Sequence, residues 1–205
     1  KYLFITKNGN KIESVLMKKG NYTTLCLSTQ VGCAVDCAFC ATAKMGFIQN
    51  LSTGEIIDQY LQLAKISVTK ITNVVFMGMG EPFLNYENSI AAARLLNHVK
   101  GINLGARRIT ISTAGIIGKI KKYTSEKHPY RLAVSLNSTN QNQRLKIMPI
   151  TKNHTFINLL SAIKDYTIKT RRRITIEYVL ISGINDCQKD SIKLREILSS
   201  IKCNL

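Results

Sequence analysis

The sequence predicts an α/β fold, a full or partial (β/α) barrel preceded by a short β-hairpin, and three observations carry that prediction. Strand-like apolar runs alternate with amphipathic helical runs from residue 25 to residue 201, an order that implies parallel strands joined by right-handed crossovers. An Asn8-Gly9 pair stands between two apolar runs at the start, which is the strongest short-range hairpin signal. The later strands turn small polar residues to one face toward their C-terminal ends, where barrels of this kind place their chemistry. From pattern alone, a flat doubly wound sheet remains open.

Residues 1–17 give the hairpin. Glu13 falls on its second strand among apolar neighbours, a setting in which a carboxylate is ordinarily solvated. Residues 25–30 read as a short buried strand that carries Cys26 and delivers the chain into a cysteine-rich loop. From Ser52 onward, a capping serine followed three residues later by Glu55 opens a run with helical apolar spacing, so a helix starts there. Residues 72–77 are the next strand, running out into Gly78-Met-Gly-Glu-Pro82, and residues 88–99 are again helical. The alternation then continues as strand 108–113, helix 115–123, strand 131–137, helices 141–146 and 156–170, strand 173–180 and helix 189–201. A sixth strand would begin at Lys202. The domain plan is therefore a hairpin extension over residues 1–20 and a core barrel over residues 21–205 that stops near the start of strand six.

Two strands carry the polar face. Thr110 and Ser112 alternate with Ile109 and Ile111, and Ala133, Ser135 and Asn137 oppose Val134 and Leu136. A ligand site at a barrel mouth explains the pattern; small residues filling a tapered core explain each residue taken singly equally well. Arg107-Arg108 and Arg171-Arg172-Arg173 precede or open strands and so belong to the opposite rim, while Lys18, Lys19 and Lys44 fall in expected loops that suit contact with RNA.

A chain of 205 residues that is 45% hydrophobic supports one core of ordinary size. The formal charge of +17, from 29 basic and 12 acidic residues, attracts a polyanion, nucleic acid being the natural candidate; a lysine-rich composition that only aids solubility is the alternative. Six cysteines with three in one cluster, no bilayer-spanning apolar run and no N-terminal signal pattern point to a reducing, cytoplasmic setting without membrane contact.

The cluster is Cys33-Ala-Val-Asp-Cys37-Ala-Phe-Cys40. Thiolates suit soft metal ions and iron–sulfur clusters. Structural zinc takes four ligands, and no fourth is evident nearby. Three thiolates converging on a four-iron, four-sulfur cube leave one iron for a small molecule with an amine and a carboxylate. The alternative is three buried structural thiols or part of a disulfide framework.

Together with its surroundings, Thr24-Leu-Cys-Leu-Ser-Thr-Gln-Val-Gly-Cys33, Cys40-Ala-Thr-Ala-Lys-Met-Gly-Phe47 and Met77-Gly-Met-Gly-Glu-Pro82, this spacing resembles the radical S-adenosylmethionine (radical SAM) enzymes. Among them it is similar to the RlmN family, which methylates an adenine of 23S ribosomal RNA, and to the related Cfr enzymes. The resemblance runs from Ile12 or thereabouts to the last residue. It implies a radical-SAM-type partial (β/α)6 barrel, a [4Fe-4S] cluster on Cys33, Cys37 and Cys40, and SAM on the open iron. Phe39 matches the aromatic position that packs near the SAM adenine. Gly80 and Glu81 match the motif that takes its amino group. Ser112 and the Ser135-Leu136-Asn137 run match SAM-contacting strand ends, although many relatives have histidine where this chain has Asn137.

The resemblance also implies a mechanism with two SAM molecules. One methylates a C-terminal cysteine; the other yields a radical that takes hydrogen from that methyl group, and the resulting carbon radical adds to adenine. Glu13 matches the base that removes the adenine proton, and Cys26 the cysteine that releases the protein–RNA thioether as a disulfide. The methyl acceptor has no counterpart here: Cys187 and Cys203 do not match it and read as core thiols, so it is expected beyond Leu205, as is the capacity for methyl transfer. An N-terminal accessory domain of relatives also has no counterpart. The implied partners are 23S rRNA, tRNA and an electron donor such as flavodoxin, with the protein a monomer. The implied product is C2-methyladenine; C8 methylation as in the Cfr relatives, or an iron–sulfur RNA-binding module without methyl transfer, are the alternatives.

Overall fold

Asn8-Gly9 turns the chain between β1 (Tyr2–Ile5) and β2 (Lys11–Lys19), which pair antiparallel with Leu3 opposite Glu13. The structure, a computed structural model, describes residues 1–205. It divides into two compact units, the first comprising Lys1–Ala34, Ala41–Ser112 and Pro129–Arg131, the second Val35–Cys40, Thr113–His128 and Leu132–Leu205.

In the first unit β2 returns as β3 (Tyr22–Cys26), followed by two short strands, β4 (Gln30–Gly32) and β5 (Phe47–Asn50), on either side of the cysteine loop. Helix α1 (Thr53–Ile66), strand β6 (Asn73–Phe76), helix α2 (Tyr86–Asn97) and strand β7 (Ile109–Thr113, its last residue belonging to the second unit) complete it. The strand order is β1-β2-β3-β6-β7, with β2 and β3 antiparallel and β3, β6 and β7 parallel. Lys18 and Lys19, expected in a loop, are instead paired across β2 and β3 with Thr23 and Tyr22, because the turn falls at Gly20 with φ at +56°.

Helix α1 begins as the sequence dictates. The Ser52 hydroxyl accepts from the Glu55 amide at 3.2 Å and a Glu55 carboxylate oxygen accepts from the Ser52 amide at 2.8 Å, so two otherwise unpartnered donors are satisfied reciprocally. One polar residue of α1 is buried. Gln59 is 1% exposed; its Oε1 accepts from the Ser14 hydroxyl at 2.6 Å and the Ser28 amide at 2.9 Å, and its Nε2 donates to the Ser28 carbonyl at 3.0 Å. Leucine there would strand these buried groups, each costing about 1–3 kcal/mol. Gln59→Leu is therefore expected to lower unfolding stability by roughly 3 kcal/mol, read as a lower urea midpoint at unchanged slope.

The second unit alternates helix α3 (Ile117–Ser125), strand β8 (Arg131–Ser135, its first residue belonging to the first unit), helices α4 (Gln141–Ile147) and α5 (Phe156–Thr170), strand β9 (Ile174–Glu177), helix α6 (Gln188–Ser199) and strand β10 (Cys203–Asn204). Strands β8, β9 and β10 are neighbours in that order and parallel. Leu132, Val134, Ile174 and Ile176 form one face and are buried, while Thr175, Ser135 and Glu177 on the other are only half-buried. Helices α4 and α5 separate β8 from β9, and α6 separates β9 from β10, as parallel order requires. No helix is long and apolar enough to cross a membrane.

Candidate active site

The cysteine loop is tied at its neck by two glycines. Strands β4 and β5 pair antiparallel, with a bulge between Val31 and Gly32. Gly32 has φ at +73°, and a Cβ built on it would lie 1.7 Å from the Gly46 carbonyl oxygen, so no side chain is tolerated there. The Cys33 amide donates to the same oxygen at 2.9 Å. Further round the loop, Asp36 adopts the left-handed region at φ 55° and the Cys40 amide donates to the Cys37 carbonyl at 3.0 Å. The Ala38 amide donates to the Ile147 carbonyl of α4 at 2.9 Å, fixing the Cys37–Cys40 turn to that helix. All three cysteines are half-buried, and Phe39 is 39% exposed.

Beyond the ends of β3 and β6 the two chain segments stay zipped together. Gly78 N donates to Leu27 O at 3.0 Å, Thr29 N to Met79 O at 2.8 Å, Met79 N to the Ser28 hydroxyl at 2.8 Å and Glu81 N to Gln30 Oε1 at 2.8 Å. Gly80 sits at φ +96°, where an added Cβ would meet the Gln30 side chain at 2.5 Å. The close approach buries Glu81 to 4% exposure, with Oε1 accepting from the Phe83 amide at 2.9 Å. A carboxylate fixed this way is suited to an ammonium group.

Register decides which side chains share a face in the first unit. Val15 opposes Cys26, Cys26 aligns with Val75, and Val75 with Thr110. Side chains alternate along each strand, so Glu13, Cys26 and Ser112 all belong to that one face. The opposite face, with Ile12, Ser14, Leu25, Val74, Phe76, Ile109 and Ile111, is buried. Glu13 is half-exposed, its carboxylate 2.8 Å from the Lys1 ammonium; Cys26 is 8% exposed.

In the second unit the Ser135 hydroxyl donates to Glu177 Oε2 at 2.9 Å. Leu136 is fully buried. Asn137 is left-handed at φ 55°, and its Oδ1 accepts from the Val179 amide at 2.9 Å while its carbonyl accepts from Asn185 Nδ2 at 2.9 Å. The Asn137 side chain is thus committed to shaping the turn after β8. Behind this turn lies Arg144 of α4, wholly buried. Its guanidinium donates to the carbonyls of Leu136 at 3.0 Å and Ser135 at 3.0 Å, to the Thr151 hydroxyl at 2.7 Å and to the Ala114 carbonyl. Burial pulls its pKa down to about 10, with the Cys37 thiolate opposing.

A family model described as the radical SAM superfamily matches residues 27–194. The chain belongs to the radical SAM superfamily. It is similar to a protein of Aquifex aeolicus named probable dual-specificity RNA methyltransferase RlmN, at 49% identity over 98% of this chain and 59% of that protein. A Thermotoga neapolitana protein of the same name is 50% identical over 98% of this chain and 59% of its own length. Among solved structures, a radical SAM methyltransferase from Sphaerobacter thermophilus superposes with a TM-score of 0.94 at 42% identity, covering 98% of this chain and 60% of that one. The radical SAM chain thus spans about 59% of the relatives it matches.

Radical SAM proteins carry a [4Fe-4S] cluster and SAM, and the residues present fit both. No three His, Cys, Asp or Glu side chains are gathered tightly enough to hold a single metal ion. A cube asks for less, since each thiolate binds a different iron corner. Three thiols on a loop with a built neck supply that set, and Glu81 beside Gly80 supplies a seat for the SAM amino group. No disulfide joins any of the six cysteines of the radical SAM chain, so the disulfide in which the resemblance involves Cys26 is not present.

Cys187, expected in the core, is exposed, because it caps α6 rather than packing beneath it; its thiol donates to Asp190 at 3.1 Å. Burial pushes the Cys203 thiol up, with the Arg173 guanidinium opposing, and a raised thiol is a poor nucleophile. Sequence reasoning missed Glu177 and Arg144. The Ile-Thr-Ile-Glu alternation of β9 held the signal for Glu177, since a parallel partner in register places it beside Ser135. Nothing local marks Arg144, a charged residue on a polar helix.

Proposed function

We propose that the protein is a radical SAM RNA methyltransferase acting at C2 of an adenine in the peptidyl-transferase centre of 23S rRNA, and on an adenine in some tRNAs, in a reducing cytoplasm. The observation that carries this reading is the placement of Glu13 and Cys26 on one half-open sheet face. The net charge of +17 suits an RNA substrate, and the similarity to proteins named RNA methyltransferases runs over 98% of the chain.

Cys33, Cys37 and Cys40 would hold the cluster, which when bound supplies one electron to SAM from a low-potential donor such as a flavodoxin. Glu81, fixed by the Phe83 amide, receives the SAM ammonium, and Ser112 and Ser135 lie at strand ends suited to the remainder of the cofactor. Phe39 offers an exposed ring for an adenine to pack against. Glu13 removes the proton from the adenine carbon, and the Cys26 thiolate bonds to the sulfur of the protein–RNA thioether as the sulfur–carbon bond breaks, the electron pair and a proton going to the carbon, so that the methylated base leaves and a disulfide remains on the protein.

Glu81→Ala removes the carboxylate while leaving the cysteine loop untouched. SAM affinity is expected to fall about 10–100-fold, the worth of one charge-assisted hydrogen bond, with iron content unchanged; equal SAM binding by equilibrium dialysis makes Glu81 structural. The function itself is tested by digesting 23S rRNA and tRNA, treated with the protein carrying this chain, to nucleosides. The reading expects 2-methyladenosine. A product at C8 reassigns the regiochemistry, and unmodified adenosine alone removes the methyltransferase reading.

A further inference from the structure

Arg144 is a charged residue without a carboxylate. It is wholly buried, and its acceptors are three carbonyls and one hydroxyl, all neutral. A buried cation is costly unless an anion offsets it. The ionisable group that acts on it is Cys37, on the turn that α4 holds. The same helix fixes the Cys37–Cys40 turn in place through the Ile147 carbonyl and the Ala38 amide, at 2.9 Å. Four hydrogen bonds hold the guanidinium in one orientation, and the hydrogen bond at Ile147, three residues further along, fixes the cysteine turn to the same helix.

We propose that Arg144 is a positioning residue that sets the charge environment of the cluster through Cys37, favouring the cluster's reduced form. This rests on the reading of Cys33, Cys37 and Cys40 as cluster ligands. The physical reason is simple. Reduction by one electron from a low-potential one-electron donor adds a negative charge to a thiolate-bound cluster, with no bond made or broken. A fixed positive charge nearby stabilises that added charge more than the oxidised form, and burial keeps the interaction from being screened. The hydrogen bonds to neutral carbonyls serve to hold the charge in place, since they satisfy the guanidinium without cancelling it.

The test compares the parent with Arg144→Gln, which removes the charge, Arg144→Lys, which keeps it but breaks the fork of hydrogen bonds, and Thr151→Val, which deletes one neutral acceptor. Each is anaerobically reconstituted, assayed for iron and titrated with dithionite and redox mediators while the reduced cluster is followed by electron paramagnetic resonance. At a fixed potential, Arg144→Gln is expected to show at least about a tenfold lower ratio of reduced to oxidised cluster, equivalent to a midpoint about 59 mV more negative. Arg144→Lys and Thr151→Val are expected to stay within about threefold of the parent, a shift of well under 1 kcal/mol. Equal potentials in all four proteins overturn the proposal. So do equal shifts in the Lys and Gln variants, a Thr151→Val shift as large as that of Gln, or failure of both Arg144 variants to fold, because each makes the role one of structure rather than charge. A parent that takes up no cluster overturns the ligand reading beneath it, and is told apart by its iron content.

Discussion

Alanine at Cys33, Cys37 or Cys40 is expected to leave the anaerobically reconstituted protein without its cluster, iron falling from about four per chain to background. The effect is large because a cube with only three protein thiolates has no ligand in reserve; losing one leaves two irons without a protein donor. The fold should survive each change. The three cysteines are half-buried in a loop, and the loop's neck depends on Gly32, Gly46 and the Cys33 amide, which alanine retains. The control is alanine at Cys187, an exposed thiol just before α6, which should keep full iron. Iron equal to the parent's in all three loop variants removes the assignment.

The second large effect concerns the two side chains that share a face in the first unit. In the full-length protein that carries this chain, Glu13→Gln and Cys26→Ala are expected to accumulate a covalent protein–RNA adduct that the full-length parent clears, visible as a slow-migrating band on a denaturing gel and abolished by ribonuclease. Glutamine cannot take the adenine proton, and alanine cannot act on the thioether, so both stop after the carbon–carbon bond to RNA has formed. Neither change should reduce cleavage of SAM, since neither residue belongs to the cysteine loop or to the Gly80-Glu81 turn. Normal yields of free methylated RNA from both variants refute the two roles.

Much of the architecture was legible because the signals are local. The Asn8-Gly9 hairpin needs only the turn, and α1 announces itself by the reciprocal Ser52 and Glu55 cap. The three loop cysteines and the Gly-Met-Gly-Glu run are likewise each a signal within one short stretch. What escaped was set by contacts distant in sequence. Strands β4 and β5 exist because Gly32 and Gly46 meet across the loop, an approach that neither segment's composition advertises. The strand carrying Cys26 begins at Tyr22 and ends at Cys26, because its register is dictated by β2 and β6 rather than by its own apolar run. Gln59 and Arg144 fall in helical runs without any local mark, yet each is buried as the satisfier of several backbone groups. A polar residue spent in this way looks no different in sequence from one facing water. The polar faces of β7 and β8 were anticipated, but the commitment of Asn137 to the Val179 amide was not, since it depends on a left-handed turn that a histidine-like reading of that position does not foresee.

The most direct test of the account is reductive cleavage of SAM by the reconstituted protein under dithionite, with 5′-deoxyadenosine quantified by liquid chromatography and mass spectrometry. The account predicts 5′-deoxyadenosine from the parent, none from Cys37→Ala, and a rate restored by excess SAM in Glu81→Ala. A parent loaded with its four-iron cluster that leaves SAM intact would contradict it.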